Sequence, residues 1–186
     1  RFAHAYVKGA QGTFKDDGNV ITTAKHYLGD GATDNGRDQG EALVDKATMI
    51  NVHAQGYYGA LGEGAQTVMA SFNSWNDRAA GIDYGKMHGS KALLTDALKD
   101  KMGFDGFVVS DWGATHSMSL MAGLDIEMPA ASFMNAARIT AAIKSGDAIV
   151  WDKRCRLDGV YGSTGHVKVD LSEIAARRRG WRPNHE

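Results

Sequence analysis

The chain has 186 residues, 43% apolar and 23% charged, with a formal net charge of −1, which is ordinary material for one globular domain with a real core. So balanced a charge gives no basic field for a nucleic acid or an anionic membrane, and no apolar run is long enough to read as a membrane span. The single cysteine, Cys155, excludes an internal disulfide or a cysteine-rich zinc site, and no two of the seven histidines stand four apart, so no metal site is expected. Arg1-Phe2-Ala3-His4 lacks the charged start and apolar stretch of a signal peptide, and a first residue other than Met reads as a processed protein or a fragment.

In chain order, residues 1–10 read as the end of a helix, closed by Gln11-Gly12 and the polar turn 15–19. Val20 to His26 is short and β-branched, a strand that runs into the glycine-rich loop 29–36. Residues 41–61 have a mixed helical pattern interrupted at Gly56 and Gly59. The run 67–72 reads as a buried strand, and 73–87 as a polar loop. Leu93, Leu94, Ala97 and Leu98 keep helical spacing within 90–102, with Ser90 as a cap and Gly103 as a stop. A third strand is expected at 107–110, a helix at 117–122, a fourth strand at 124–128 and a last helix at 133–144.

Strand, loop and helix in repetition favour parallel β/α units. Polar groups fall at the carboxyl ends of the strands: Lys25 and His26, Phe72 and Asn73, Asp111 and Trp112, Glu127 and Met128. Strand carboxyl ends are where a (β/α) barrel carries its chemistry, and a complete barrel needs eight strands and about 250 residues. The expected fold class is therefore α/β, a partial (β/α)8 TIM-type barrel of about four β/α units over residues 1–146. Residues 147–186, basic and broken by glycines, are expected to be an irregular tail, disordered or non-native in sequence.

Ser110-Asp111-Trp112 after a buried strand sets a carboxylate beside a flat indole. That pairing suits a pyranose, whose C–H face stacks on aromatic rings while its hydroxyls take charged or amide partners such as Lys25, His26, Asp30 and Asn73. The alternative is structural, with Asp111 capping the next helix and Trp112 in the core.

Four blocks, Lys25-His26-Tyr27-Leu28-Gly29-Asp30-Gly31, Val68-Met69-Ala70-Ser71-Phe72-Asn73-Ser74-Trp75-Asn76, Gly103 to Trp112, and Ala122 to Pro129, resemble consecutive blocks of family 3 glycoside hydrolases, in the same order. Within that family they are most similar to the β-glucosidase and exo-β-1,3/1,4-glucanase branch. The resemblance implies retaining hydrolysis of β-glucosides or β-glucans without a cofactor, with Asp111 as nucleophile forming a covalent glycosyl-enzyme. It implies that Lys25 and His26 bind sugar hydroxyls in the first subsite, that Trp112 walls it, and that Met69 and Phe72 sit beside it. Asp30 joins them as a substrate-binding candidate. Glu127, a second carboxylate by position, falls in a block that closes the barrel wall. A periplasmic or secreted location follows from the resemblance alone.

The chain departs from the branch in two ways. In the branch the acid/base carboxyl comes from a second, α/β sandwich domain after the barrel, and a related branch uses a loop histidine that 32–38 does not contain. Upstream strands carrying an aspartate and an arginine of the sugar site are also expected before Arg1. The chain is therefore expected to be a poor catalyst by itself and to associate with copies of itself or with a complementing domain. Val68, Phe72, Val108 and Ile126 belong to the strands expected to leave apolar surface uncovered. Competing readings are a non-catalytic sugar-binding or partner-dependent module and, more remotely, a Schiff-base aldolase using Lys25.

Overall fold

The structure, a computed structural model, describes residues 1–115 and 119–145; the tail expected over 147–186 lies outside the described residues. Helix α1 (Phe2–Gln11) turns Val7 and Gln11 inward and packs against α3 (Gln55–Gly62). It ends at Gly12, whose φ of 50° lies in the left-handed region that glycine tolerates. Gln11 is a buried amide with every polar atom paired. Its Oε1 accepts from the Thr22 and Gln66 backbone N–H groups and the Thr22 hydroxyl, and its Nε2 donates to Gly64 O at 2.9 Å. One side chain thus ties the helix to the starts of two strands.

Those strands are β1 (Thr23–Tyr27) and β3 (Thr67–Ala70), which pair in parallel; β6 (Phe107–Val109) pairs in parallel with the far side of β3, giving the order β1-β3-β6. The peptide bonds Lys25–His26 and Tyr27–Leu28 are cis, and the β1/β3 register shifts between Ala24 and Tyr27. At Gly106 a Cβ would collide with Gln66 O, so only glycine lets β6 approach β3 this closely. The fourth expected strand, 124–128, is reduced to a single parallel bridge from Val109 to Ile126. The reason is chemical: the Asp125 carboxylate, held by Lys99 at 2.8 Å, itself accepts the Val108 N–H that a strand carbonyl would otherwise take.

The loop expected at 73–87 is instead a hairpin, β4 (Ser74–Asp77) and β5 (Ile82–Lys86), and β2 (Glu41–Ala42) adds in parallel to form a second sheet, β2-β4-β5. The region expected to be helix at 41–61 is divided. After β2 come α2 (Lys46–Thr48), started by the Asp45 side chain accepting the Thr48 N–H, a π-helical turn Met49–His53, and α3. A π-helix, Ala92–Lys101, follows the second sheet, with Leu93, Leu94 and Leu98 buried as their spacing predicts. Short α4 (Ser119–Ala122) and α5 (Ala136–Ser145) complete the described residues.

Strand alternation sends Val68, Ala70 and Val108 toward the helices, where they pack with Tyr27, Met49, Leu94, Leu98 and Leu124. This corrects part of the expected open apolar patch. Val68 and Val108 are fully buried, while Ile126 remains 40% exposed. Deep in that core Tyr27 and Tyr57 meet edge to face at 5.0 Å, and burial pushes both phenols above their ordinary range.

Candidate active site

β1, β3 and β6 run parallel, so their carboxyl ends share one edge of the sheet, and Asp111 and Trp112 follow β6 there. Strands two apart in a sheet lie about 9.6 Å apart. His26 of β1 and Asp111 nevertheless meet over the end of β3, with Nε2 3.5 Å from Oδ2. The other imidazole nitrogen, Nδ1, stands 3.2 Å from Asp30 Oδ2, and Asp30 Oδ1 accepts the Ser71 hydroxyl at 3.4 Å. Asp30 opens a short 3-10 turn, Asp30–Ala32, just past Gly29 at φ 85°, which lets the chain double back beneath the imidazole. The result is a line of side chains, Ser71, Asp30, His26 and Asp111, drawn from three strand ends.

Of the sequence-predicted site residues, the structure brings Asp111, His26 and Asp30 together. Lys25 is exposed, and its ammonium pairs with no carboxylate among the described residues. Trp112 is 65% exposed, its indole standing off the core, so the structural alternative of a core tryptophan is excluded. Met69 alternates with the buried Val68 and Ala70 and is half-buried. The Phe72 ring is tilted against His88 at 6.0 Å. Glu127 is committed elsewhere. Its carboxylate accepts the backbone N–H groups of Phe133, at 2.9 and 3.0 Å, and Met134, at 2.7 Å, so it holds the segment leading into α5.

Sequence reasoning missed His88. It is buried on the short turn Met87–Gly89, and its Nε2 accepts the Asp111 N–H at 2.9 Å. It also missed Lys86, which donates to Gln39 O at 2.7 Å and Phe72 O at 3.1 Å and so fastens the hairpin to two strand-end loops. No periodicity marks either residue: Lys86 lies in the stretch read as loop, and His88 falls between that loop and the helix expected from Ser90. A groove of about 600 Å³ between α1, α3 and the outer edge of β1 runs from Tyr6, Val7 and Ile21 up to Lys25, His26 and Asp30. Among the described residues no cluster of three His, Cys, Asp or Glu side chains could hold a metal ion, and no helix is long and apolar enough to cross a membrane.

An α/β chain whose parallel strands carry a carboxylate, an imidazole and an exposed indole at one end has its polar groups where a (β/α) barrel carries its chemistry. Residues 1–156 match the Glycosyl hydrolase family 3 N terminal domain, and the chain belongs to that family. It is 39% identical to the solved exo-1,3/1,4-beta-glucanase of a Pseudoalteromonas species, with a TM-score of 0.68 over 78% of this chain and 19% of that one. The β-glucosidase of Listeria innocua, solved in complex with glucose, is 26% identical with a TM-score of 0.67 over 77% of this chain and 21% of that one. Beta-glucosidase 1 of Aspergillus aculeatus is 31% identical over 88% of this chain. The chain spans about a fifth of the length of the curated relatives it matches.

Proposed function

We propose that this chain carries the nucleophile side of a retaining β-glucosidase or exo-β-glucanase site. The observation that carries the reading is the 3.5 Å approach of His26 Nε2 to Asp111 Oδ2 at the strand ends of a family 3 chain. An Asp111 carboxylate oxygen attacks the anomeric carbon of a β-glucoside. The C–O bond to the leaving group breaks as the leaving oxygen takes a proton, and water later releases glucose from the glycosyl-enzyme with retention. His26 and Lys25 bind the sugar hydroxyls, Asp30 holds the His26 ring from behind, and exposed Trp112 offers a face to the pyranose. Met69 and Phe72 supply the neighbouring wall.

Retaining hydrolysis also needs a second carboxyl about 5–5.5 Å from the first to protonate the leaving oxygen. Among the described residues, Glu127 is occupied by backbone N–H groups, and Asp30 is separated from Asp111 by the width of an imidazole. We therefore assign the proton donor to a complementing domain. The edge of β1 that pairs with no strand among the described residues and the adjoining groove, with Tyr6 75% and Ile21 42% exposed, are where a second copy or a complementing segment would seat. Without that donor, activated aryl glycosides survive best, because general acid catalysis contributes about 10²–10⁴ in rate. The test follows hydrolysis of a nitrophenyl β-glucoside by proton NMR beside a β-linked disaccharide. Expected are β-glucose as the first-formed product and a clear preference for the aryl substrate. First-formed α-glucose contradicts the mechanism, equal rates on both substrates contradict the missing donor, and glucose binding without any turnover marks a non-catalytic sugar-binding module instead.

A further inference from the structure

The turn bearing Asp111 is held from two sides. On one side the 126–128 segment accepts the Ser110 N–H on Ile126 O at 2.8 Å and the Gly113 N–H on Met128 O at 2.9 Å, while Ser110 Oγ accepts the Met128 N–H at 2.7 Å. Between them the Trp112 N–H turns back onto Asp111 Oδ1 at 2.7 Å. The remaining N–H, that of Asp111 itself, goes the other way, to His88 Nε2 at 2.9 Å. His88 is 3% exposed and stands on the turn that follows β5, so the hairpin sheet reaches the strand-end turn through this imidazole. A ring nitrogen that accepts a hydrogen bond carries no proton, which makes His88 neutral with its hydrogen on Nδ1.

We propose that His88 is a positioning residue for Asp111: its neutral imidazole fixes the Asp111 N–H and thereby the rotation of the backbone that aims the carboxylate at His26 and the bound sugar. The inference rests on the reading of Asp111 as nucleophile. Remove the acceptor and the Asp111 N–H is left part-buried and unpaired, and the turn is free to rotate about the bonds that carry the carboxylate. Oδ2 then leaves the line through His26. Ground-state sugar contacts through Lys25 and Trp112 do not pass through His88, so binding is preserved while attack slows. A glutamine at the same position offers an amide oxygen in place of Nε2, whereas leucine offers packing against Phe72 and no acceptor.

The experiment compares the native chain with His88→Gln and His88→Leu by the rate of covalent labelling with a 2-deoxy-2-fluoro β-glucoside, read by intact mass. Glucose affinity and amide hydrogen exchange are followed in parallel. Expected for His88→Leu is labelling about tenfold to a hundredfold slower, the size of a small misplacement of a reacting group. Glucose affinity should hold, and the Asp111 amide should lose protection while Val108 and Val109 keep theirs. His88→Gln should restore labelling to within about threefold of native and return the protection. Equal labelling in all three chains, or His88→Gln as slow as His88→Leu, overturns the proposal. If the native chain takes no label at Asp111, the nucleophile reading has failed and exchange alone judges the contact: unchanged Asp111 protection in His88→Leu overturns it. Imidazole nitrogen NMR on the native chain decides even if a variant does not fold, since a protonated Nε2 on His88 contradicts the proposal outright.

Discussion

The sheet β1-β3-β6 is assembled from apolar alternation, with Val68, Ala70 and Val108 buried against Leu94, Leu98 and Met49. The sheet β2-β4-β5 is assembled from individual polar contacts. Trp75 stacks on Tyr84 at 4.2 Å and donates its indole N–H to Val44 O at 2.8 Å. Asp77 accepts the N–H groups of Lys46 and Ala80, both at 3.0 Å, and Lys86 reaches Gln39 O and Phe72 O. The first sheet is a scaffold whose energy lies in burial, and its far ends present the candidate site. The second adds Ala42 and Trp75 to the same core but is fastened by these polar contacts, and it serves as a frame, reaching the strand ends through Lys86 and His88. Changes in the scaffold should therefore move stability, and changes at the strand ends should move chemistry.

The largest effect should sharpen that division. Asp111→Asn should lower turnover by at least on the order of a thousandfold, since it deletes a bond made in the transition state. The unfolding midpoint should hardly change, and a loss of only about tenfold by steady-state kinetics is too small for a nucleophile. Next comes the scaffold. Leu94 is fully buried, so Leu94→Ala should cost about 2–5 kcal/mol in denaturant unfolding, the cost of an empty core site; a loss under about 1 kcal/mol would mean that the sheet does not rest on this packing. Lys25→Ala lies on the other side of the division. It should weaken glucose binding by about 1.5–3 kcal/mol by calorimetry, while stability moves by less than about 0.5 kcal/mol; matched losses would make Lys25 structural.

The smallest effect is a pH dependence within the scaffold. Burial first, then the charges of Tyr27 and Asp30, hold the Tyr57 phenol protonated beyond its ordinary range in the folded chain. In the unfolded chain the same phenol ionises near about pH 10, so the folded state binds the proton more tightly and stability must fall as pH rises above that point. Tyr57→Phe should make the alkaline decline of the unfolding midpoint between about pH 9 and 11 shallower than in the native chain. An unchanged slope contradicts the buried phenol.

These contrasts explain what could be read from residues alone. β1, β3, β6 and the leucine-bearing helix carry their own periodic patterns, because burial demands one apolar face and the chain must repeat it. Asp111, His26 and Asp30 were legible because they lie at the ends of those elements. The hairpin was not legible. Its strands hold Asn76, Asp77, Asp83 and Gly85, residues poor in strand propensity, and their pairing is decided by distant partners such as Val44 and Gln39. His88 escaped for the same reason, since its role depends on a backbone N–H 23 positions later in the chain. The strand expected at 124–128 failed because Asp125 answers the neighbouring backbone with its side chain.

The most direct measurement of the central claim is peptide mapping of the chain after reaction with a 2-deoxy-2-fluoro β-glucoside, which stalls a retaining enzyme at its glycosyl-enzyme. One added sugar is expected, on the peptide containing Asp111 and on that side chain by fragmentation. Label on Glu127 or Asp125 instead would contradict it.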